Sequence, residues 1–96
     1  MQERKLELQK ELATVIKKYR KEQSISQLAN EIDLSKSIWA GIEKGERDVQ
    51  LSTFWRIAEA LNIKPSQLLQ SIESRLGDEF SFLENTPAKV SGNDSL

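Results

Sequence analysis

The side chains of this 96-residue chain that could do chemistry are few in kind. It contains no histidine and no cysteine, so the commonest general base, the commonest metal ligand and any thiolate are missing. No Gly-rich phosphate loop or paired-carboxylate constellation stands out, so no enzyme, metal or cofactor is implied. What remains is a concentration of hydrogen-bond donors around one short segment: Ser35, Lys36, Ser37, Lys44 and Arg47, interleaved with Ile38, Ala40 and Gly41. Lys44 and Arg47 are suited to phosphate oxygens. Lys36 can donate to the acceptor edge of guanine, Ser35 and Ser37 to a phosphate or a base edge, and Ile38 can rest on a thymine methyl. Ala40 and Gly41 offer no hydrogen bond. A glycine inside a helix costs ~1 kcal/mol relative to Ala. A close approach of backbone to a ligand would explain keeping Gly41, as would tight packing beside Trp39. The alternative for the whole set is a solvated helix face. Lys17, Lys18 and Lys21 form a second cationic group for which that plainer account weighs more.

These residues belong to the run Ser24–Gly45, SISQLANEIDLSKSIWAGIEKG. It is expected to form two short helices joined by a tight turn. Neither can bury an apolar face alone, so they must share a core and leave one outer face free, the build of a helix-turn-helix. Ser24 with Gln27 spells a capping box, with Ser26 as the alternative start. Leu28, Ala29 and Ile32 face inward, and Asp33 takes the positive-φ turn position. Ser35 caps the next helix, Lys36 to about Lys44, with Trp39 and Ile42 inward and Gly45 at its left-handed end.

Around this unit, Leu8, Leu12, Val15, Ile16 and Tyr19 mark the stripe of a first helix, Lys5 to Glu22. Phe54, Ile57, Ala58 and Leu61 are the inward set of a fourth, which leaves Trp55 partly exposed. Pro65 opens a fifth, with Leu68, Leu69, Ile72 and Leu76 as its apolar set and Gly77 as its stop. No strand-like alternation occurs. The expected fold is all-α, a five-helix domain over 1–76, followed by an acidic, mostly disordered tail over 77–96. Phe80, Phe82 and Leu83 in that tail either fold back on the core or face a partner.

The net charge of −1 conceals an asymmetry: residues 1–75 carry 13 of the 14 Lys and Arg but 11 of the 15 Asp and Glu. The domain is thus mildly basic and the tail acidic. No apolar run approaches the ~18 residues of a membrane span, and the charged start is unlike a secretory signal. The expected setting is the cytoplasm.

The pattern Leu28-Ala29-x-x-Ile32-x-Leu34-Ser35-x-x-x-Trp39-x-x-Ile42-Glu43-x-Gly45, continued by Thr53-Phe54-x-x-Ile57-Ala58-x-x-Leu61 and Leu68-Leu69, resembles the Cro/lambda-repressor-like (Xre) helix-turn-helix family. The resemblance implies five helices, insertion of the third helix in the major groove of double-stranded DNA, homodimerisation and transcriptional regulation, most simply repression. It makes Ser35, Lys36, Ser37, Ile38, Ala40, Gly41, Lys44 and Arg47 the DNA-facing set, and Arg20 with Glu43 an ion pair between the first and third helices. Four departures stand out. The Lys21-Glu22-Gln23 connection is short, Ile25 replaces a customary Gln, Asp33 replaces the turn glycine, and Gly41 replaces a polar or Arg residue. Two other functions compete: an antitoxin whose 78–84 segment binds a toxin, and a protein-interaction module that has lost DNA binding.

Overall fold

The computed structural model describes residues 2–83, which form five helices and no strand: α1 (Gln2–Arg20), α2 (Ile25–Glu31), α3 (Lys36–Glu43), α4 (Leu51–Ala60) and α5 (Pro65–Leu76). The first helix starts three residues before the expected Lys5 and ends two before Glu22. Of the tail expected to be mostly disordered, residues 84–96 lie outside the described residues.

One core holds the helices together. Leu12, Val15 and Ile16 of α1, Leu28 and Ala29 of α2, Trp39 and Ile42 of α3, Ile57 and Ala58 of α4, and Leu68 and Ile72 of α5 are all buried in it. The i, i+3/i+4 spacing of these residues puts each set on one face of its helix. Phe54, Tyr19, Leu8 and Leu76 pack on the rim of the core, half-buried. Leu69 corrects the sequence expectation, being 51% exposed. Leu68 and Ile72 take the inward face of α5, and the next residue along a helix lies ~100° further round.

Three of the interhelical corners share one construction. After α2, the Leu34 amide donates to Ala29 O (2.9 Å) and the Asp33 amide to Asn30 O (3.2 Å). After α3, the Glu46 amide donates to Gly41 O (3.1 Å) and the Gly45 amide to Ile42 O (3.0 Å). After α4, the Ile63 amide donates to Ala58 O and the Asn62 amide to Glu59 O, both at 3.0 Å. These are Schellman caps, each needing one residue in the left-handed region. That residue is Asp33 (φ 56°), Gly45 (φ 75°) and Asn62 (φ 64°). Asp and Asn tolerate the conformation better than other non-glycine residues.

Side chains tie the helices further. The Arg56 guanidinium donates to Ile32 O at the end of α2 (2.9 Å). Tyr19 Oη and Ser71 Oγ hydrogen-bond at 2.9 Å between α1 and α5. Arg75 meets Glu11 at 2.6 Å across the same pair, with the arginine half exposed.

Candidate nucleic-acid interface

The second helix begins after Ser24, whose hydroxyl accepts from the Gln27 amide (3.2 Å). This settles the start in favour of Ser24 over Ser26. Among the described residues the Gln27 side chain makes no return bond, so only half of the capping box forms. A three-residue turn, Ile32–Leu34, leads to Ser35, whose Oγ accepts from the Ile38 amide (3.1 Å) and caps α3.

The inner side of α3 is anchored by a buried polar network. Trp39 is 1% exposed and Glu43 7%. The indole Nε1 donates to Glu43 Oε2 (2.7 Å). Arg20 closes a bidentate pair on the same carboxylate, Nε to Oε2 at 2.6 Å and Nη2 to Oε1 at 2.8 Å. Its remaining nitrogen, Nη1, donates to Gln23 O (2.9 Å) in the connection to α2. The hydrogen bond to Glu43 raises the pKa of Arg20 above the ordinary arginine value, against the opposing effect of burial. One carboxylate thus joins α1 to α3 and satisfies an indole N–H that burial would otherwise leave without a partner.

A second anchor was not foreseen from the sequence. Gln9 is buried. With its amide in the orientation that satisfies both neighbours, it donates to Gly45 O and accepts from the Asp48 amide, each at 3.2 Å. The signal was present: Gln9, Leu12 and Ile16 fall at i, i+3 and i+7, which places a glutamine on the buried stripe of α1. Lys5 reaches Asp48 Oδ2 at 3.6 Å from the same helix. Gly45 owes its identity to its left-handed φ of 75°; a Cβ there would make only ordinary contact with Lys10, at 3.4 Å from its Cγ.

The outer side of α3 carries the DNA-facing candidates. Ser35, Lys36, Ser37, Lys44 and Arg47 are exposed, and Ala40 and Gly41 are half-buried. Ile38 is half-buried and packs against the core, so its methyl groups are partly committed inward. Ser37, Gly41 and Lys44, at i, i+4 and i+7, form the stripe opposite Trp39, Ile42 and Glu43. Gly41 does not owe its size to Trp39. A Cβ added there would lie 3.1 Å from Arg47 Nε and 3.5 Å from its Cδ and Cγ. The Arg47 side chain therefore lies across the outer face of α3. It lines an open cleft of about 400 Å³ together with Ser37, Gly41, Lys44, Glu46 and Asp48. Lys17, Lys18 and Lys21 are exposed on and just after α1.

No helix among the described residues is long and apolar enough to cross a membrane. No curated protein and no solved structure gives a significant match to the chain. A helix-turn-helix family model matches residues 16–68, from the second half of α1 into α5, and covers more than half of the chain. With two capped short helices, a three-residue turn between them and a donor-bearing outer face on the second, the chain belongs to the Cro/C1-type, Xre-like helix-turn-helix family of DNA-binding regulators.

Proposed function

We propose that this chain is a sequence-specific transcriptional repressor that occupies a palindromic operator as a homodimer in the cytoplasm. The observation that carries it is the contrast between the two sides of α3. The inner side is fixed by the Arg20–Glu43–Trp39 network, while the outer side leaves Lys36, Ser37, Lys44 and Arg47 exposed along one stripe and its flank. A rigidly held helix with a donor-bearing outer face suits the major groove, and a two-fold dimer would set two such helices about 34 Å apart. Ser35, Lys36 and Ser37 would meet the DNA first, Lys44 and Arg47 from the far end of α3. Residues 1–76 would form the DNA-binding unit, with 77–96 as an appended acidic segment.

Two cations per protomer (Lys36 and Lys44) on phosphates, doubled in a dimer, give a slope of log K against log salt of about −4. Titration of the full chain onto random-sequence duplexes at several salt concentrations tests this. Absence of binding at low salt by the folded protein would refute it.

A partner protein at 78–84, as in an antitoxin, gains support from one observation. Phe80 and Phe82 stack edge to face, with ring centroids 5.6 Å apart, and Phe82 and Leu83 remain exposed. Co-purification of a small partner that is released on changing Phe82 and Leu83 to Ser would favour this second function.

A further inference from the structure

The outer face of α3 has no side chain at its centre, and Arg47 fills the gap. The stripe opposite the core is Ser37, Gly41 and Lys44. The Arg47 side chain passes over the middle member so closely that a Cβ at position 41 would stand 3.1 Å from its Nε. The chain returns to this spot because the cap of α3 bonds the Glu46 amide to Gly41 O, which leaves the next residue beside the helix it has just left. Among the described residues the Arg47 guanidinium makes no hydrogen bond or ion pair, so its donor edge is unspent.

Resting on the DNA-binding function proposed above, we infer that Arg47, seated on Gly41, is the guanine-reading residue of this surface, and that Gly41 is kept as its seat rather than as a DNA contact. A phosphate is the alternative ligand for an arginine here, and two features argue against it. The guanidinium lies against Gly41, on the outward stripe of the helix that would face the base edges, rather than on its flank. Its cleft is also lined by Glu46 and Asp48 as well as by Lys44, so two carboxylates offset the two cations and the cleft carries no net positive charge to draw a phosphate. A G·C pair, in contrast, shows two acceptors on guanine for the arginine fork and one amino donor on cytosine that a neighbouring carboxylate can accept.

The test begins with selection of duplexes from a random pool by the full wild-type chain. Single-base variants of the selected site are then competed against it. Arg47→Ala should lower the preference for guanine at one position per half-site by about 5- to 150-fold, with the salt slope unchanged. Arg47→Lys should recover only part of it, because an ammonium lacks the two-pronged fork. Gly41→Ala should weaken the same preference, and the added methyl should have no further effect in the Arg47→Ala background. Alanine is the stronger helix former, so circular dichroism should show these variants folded. A uniform loss of affinity for all sequences in Arg47→Ala, with a salt slope shallower by about 2 for the two protomers of the dimer, would make the residue a phosphate contact and overturn the inference. An unchanged guanine preference in Gly41→Ala would overturn the role of the seat. If the folded wild type selects no sequence at all, the DNA-binding function fails and this inference with it.

Discussion

Glu43 is the residue whose loss the domain should feel most. Its carboxylate accepts three charge-assisted or buried hydrogen bonds, two from Arg20 and one from Trp39. The carboxylate and the indole are both buried, whereas the Arg20 side chain retains about a fifth of its exposure. Glu43→Ala therefore removes two interactions of unequal character. Arg20 can turn partly to water, so its share is discounted to about 1–2 kcal/mol. The indole N–H cannot, and an unpartnered buried donor costs about 1–3 kcal/mol. The sum is about 2–5 kcal/mol. For a domain of this size the whole stability is of order 5 kcal/mol, so the variant should stand close to unfolding at room temperature. The midpoint of thermal unfolding should fall by roughly 8–40 °C. Glu43→Gln keeps an acceptor for the indole and should cost less, about 2 kcal/mol. Urea unfolding followed by circular dichroism measures all of these. A cycle of Arg20→Ala with Glu43→Gln isolates the ion pair, and its coupling should exceed 1 kcal/mol. A cost below 1 kcal/mol for Glu43→Ala, or additive single variants, would show that the network is no better than an exposed surface pair, and that something else positions α3.

Arg75 and Glu11 provide the contrast. They are as close as Arg20 and Glu43, at 2.6 Å, but the arginine is half exposed and no buried donor depends on the pair; Arg75→Ala should cost under 1 kcal/mol by the same urea assay. Gln9→Leu should destabilise by about 1–3 kcal/mol, since two backbone groups of the α3–α4 loop lose their partner, and hydrogen exchange at the Asp48 amide should accelerate more than exchange in α5. At the left-handed corners the two directions should have opposite signs. Gly45→Ala, at φ 75°, should lower the urea midpoint by an equivalent of about 1–2 kcal/mol, whereas Asp33→Gly at φ 56° should raise it by about 0.5 kcal/mol after the added unfolded-chain entropy.

The inward half of the molecule was legible because packing tolerates few residues and repeats them at a fixed spacing. Trp39, Ile42, Ile57 and Leu68 fall where the helical period puts them, and Asp33 occupies a turn so short that it had to reverse the chain. Where adjacent residues were equally apolar, spacing could not choose between them. Leu68 and Leu69 illustrate this, and only the docking of α5 on α1 and α4 turns the first inward. Asn62 stands in the same left-handed conformation as Asp33, yet its segment reads from sequence only as a link, since the short corner before Pro65 names no single reversing residue. Gln9 was hidden for a different reason. A polar residue on an apolar stripe is silent until the loop it binds is folded beside it.

The outer face of α3 was least legible, and the reason is geometrical. Its chemistry is not contained in the helix. Read along the chain, Gly41 is a gap and Arg47 is a loop cation six residues further on. Only the reversal after Lys44, enforced by Gly45 and by the bond from the Glu46 amide to Gly41 O, places one over the other. The same reversal is held from behind by Gln9, which grips the loop at Gly45 and Asp48. An eight-residue helix has little stability of its own, and α3 keeps its place through Ser35 at one end, the Gly45 cap at the other, and Glu43 and Trp39 beneath. The position of Arg47 is inherited from those constraints. A substitution that loosens the loop without touching α3, such as Gln9→Leu, should therefore blur the discrimination of Arg47 for its base at temperatures where the helices are still fully formed.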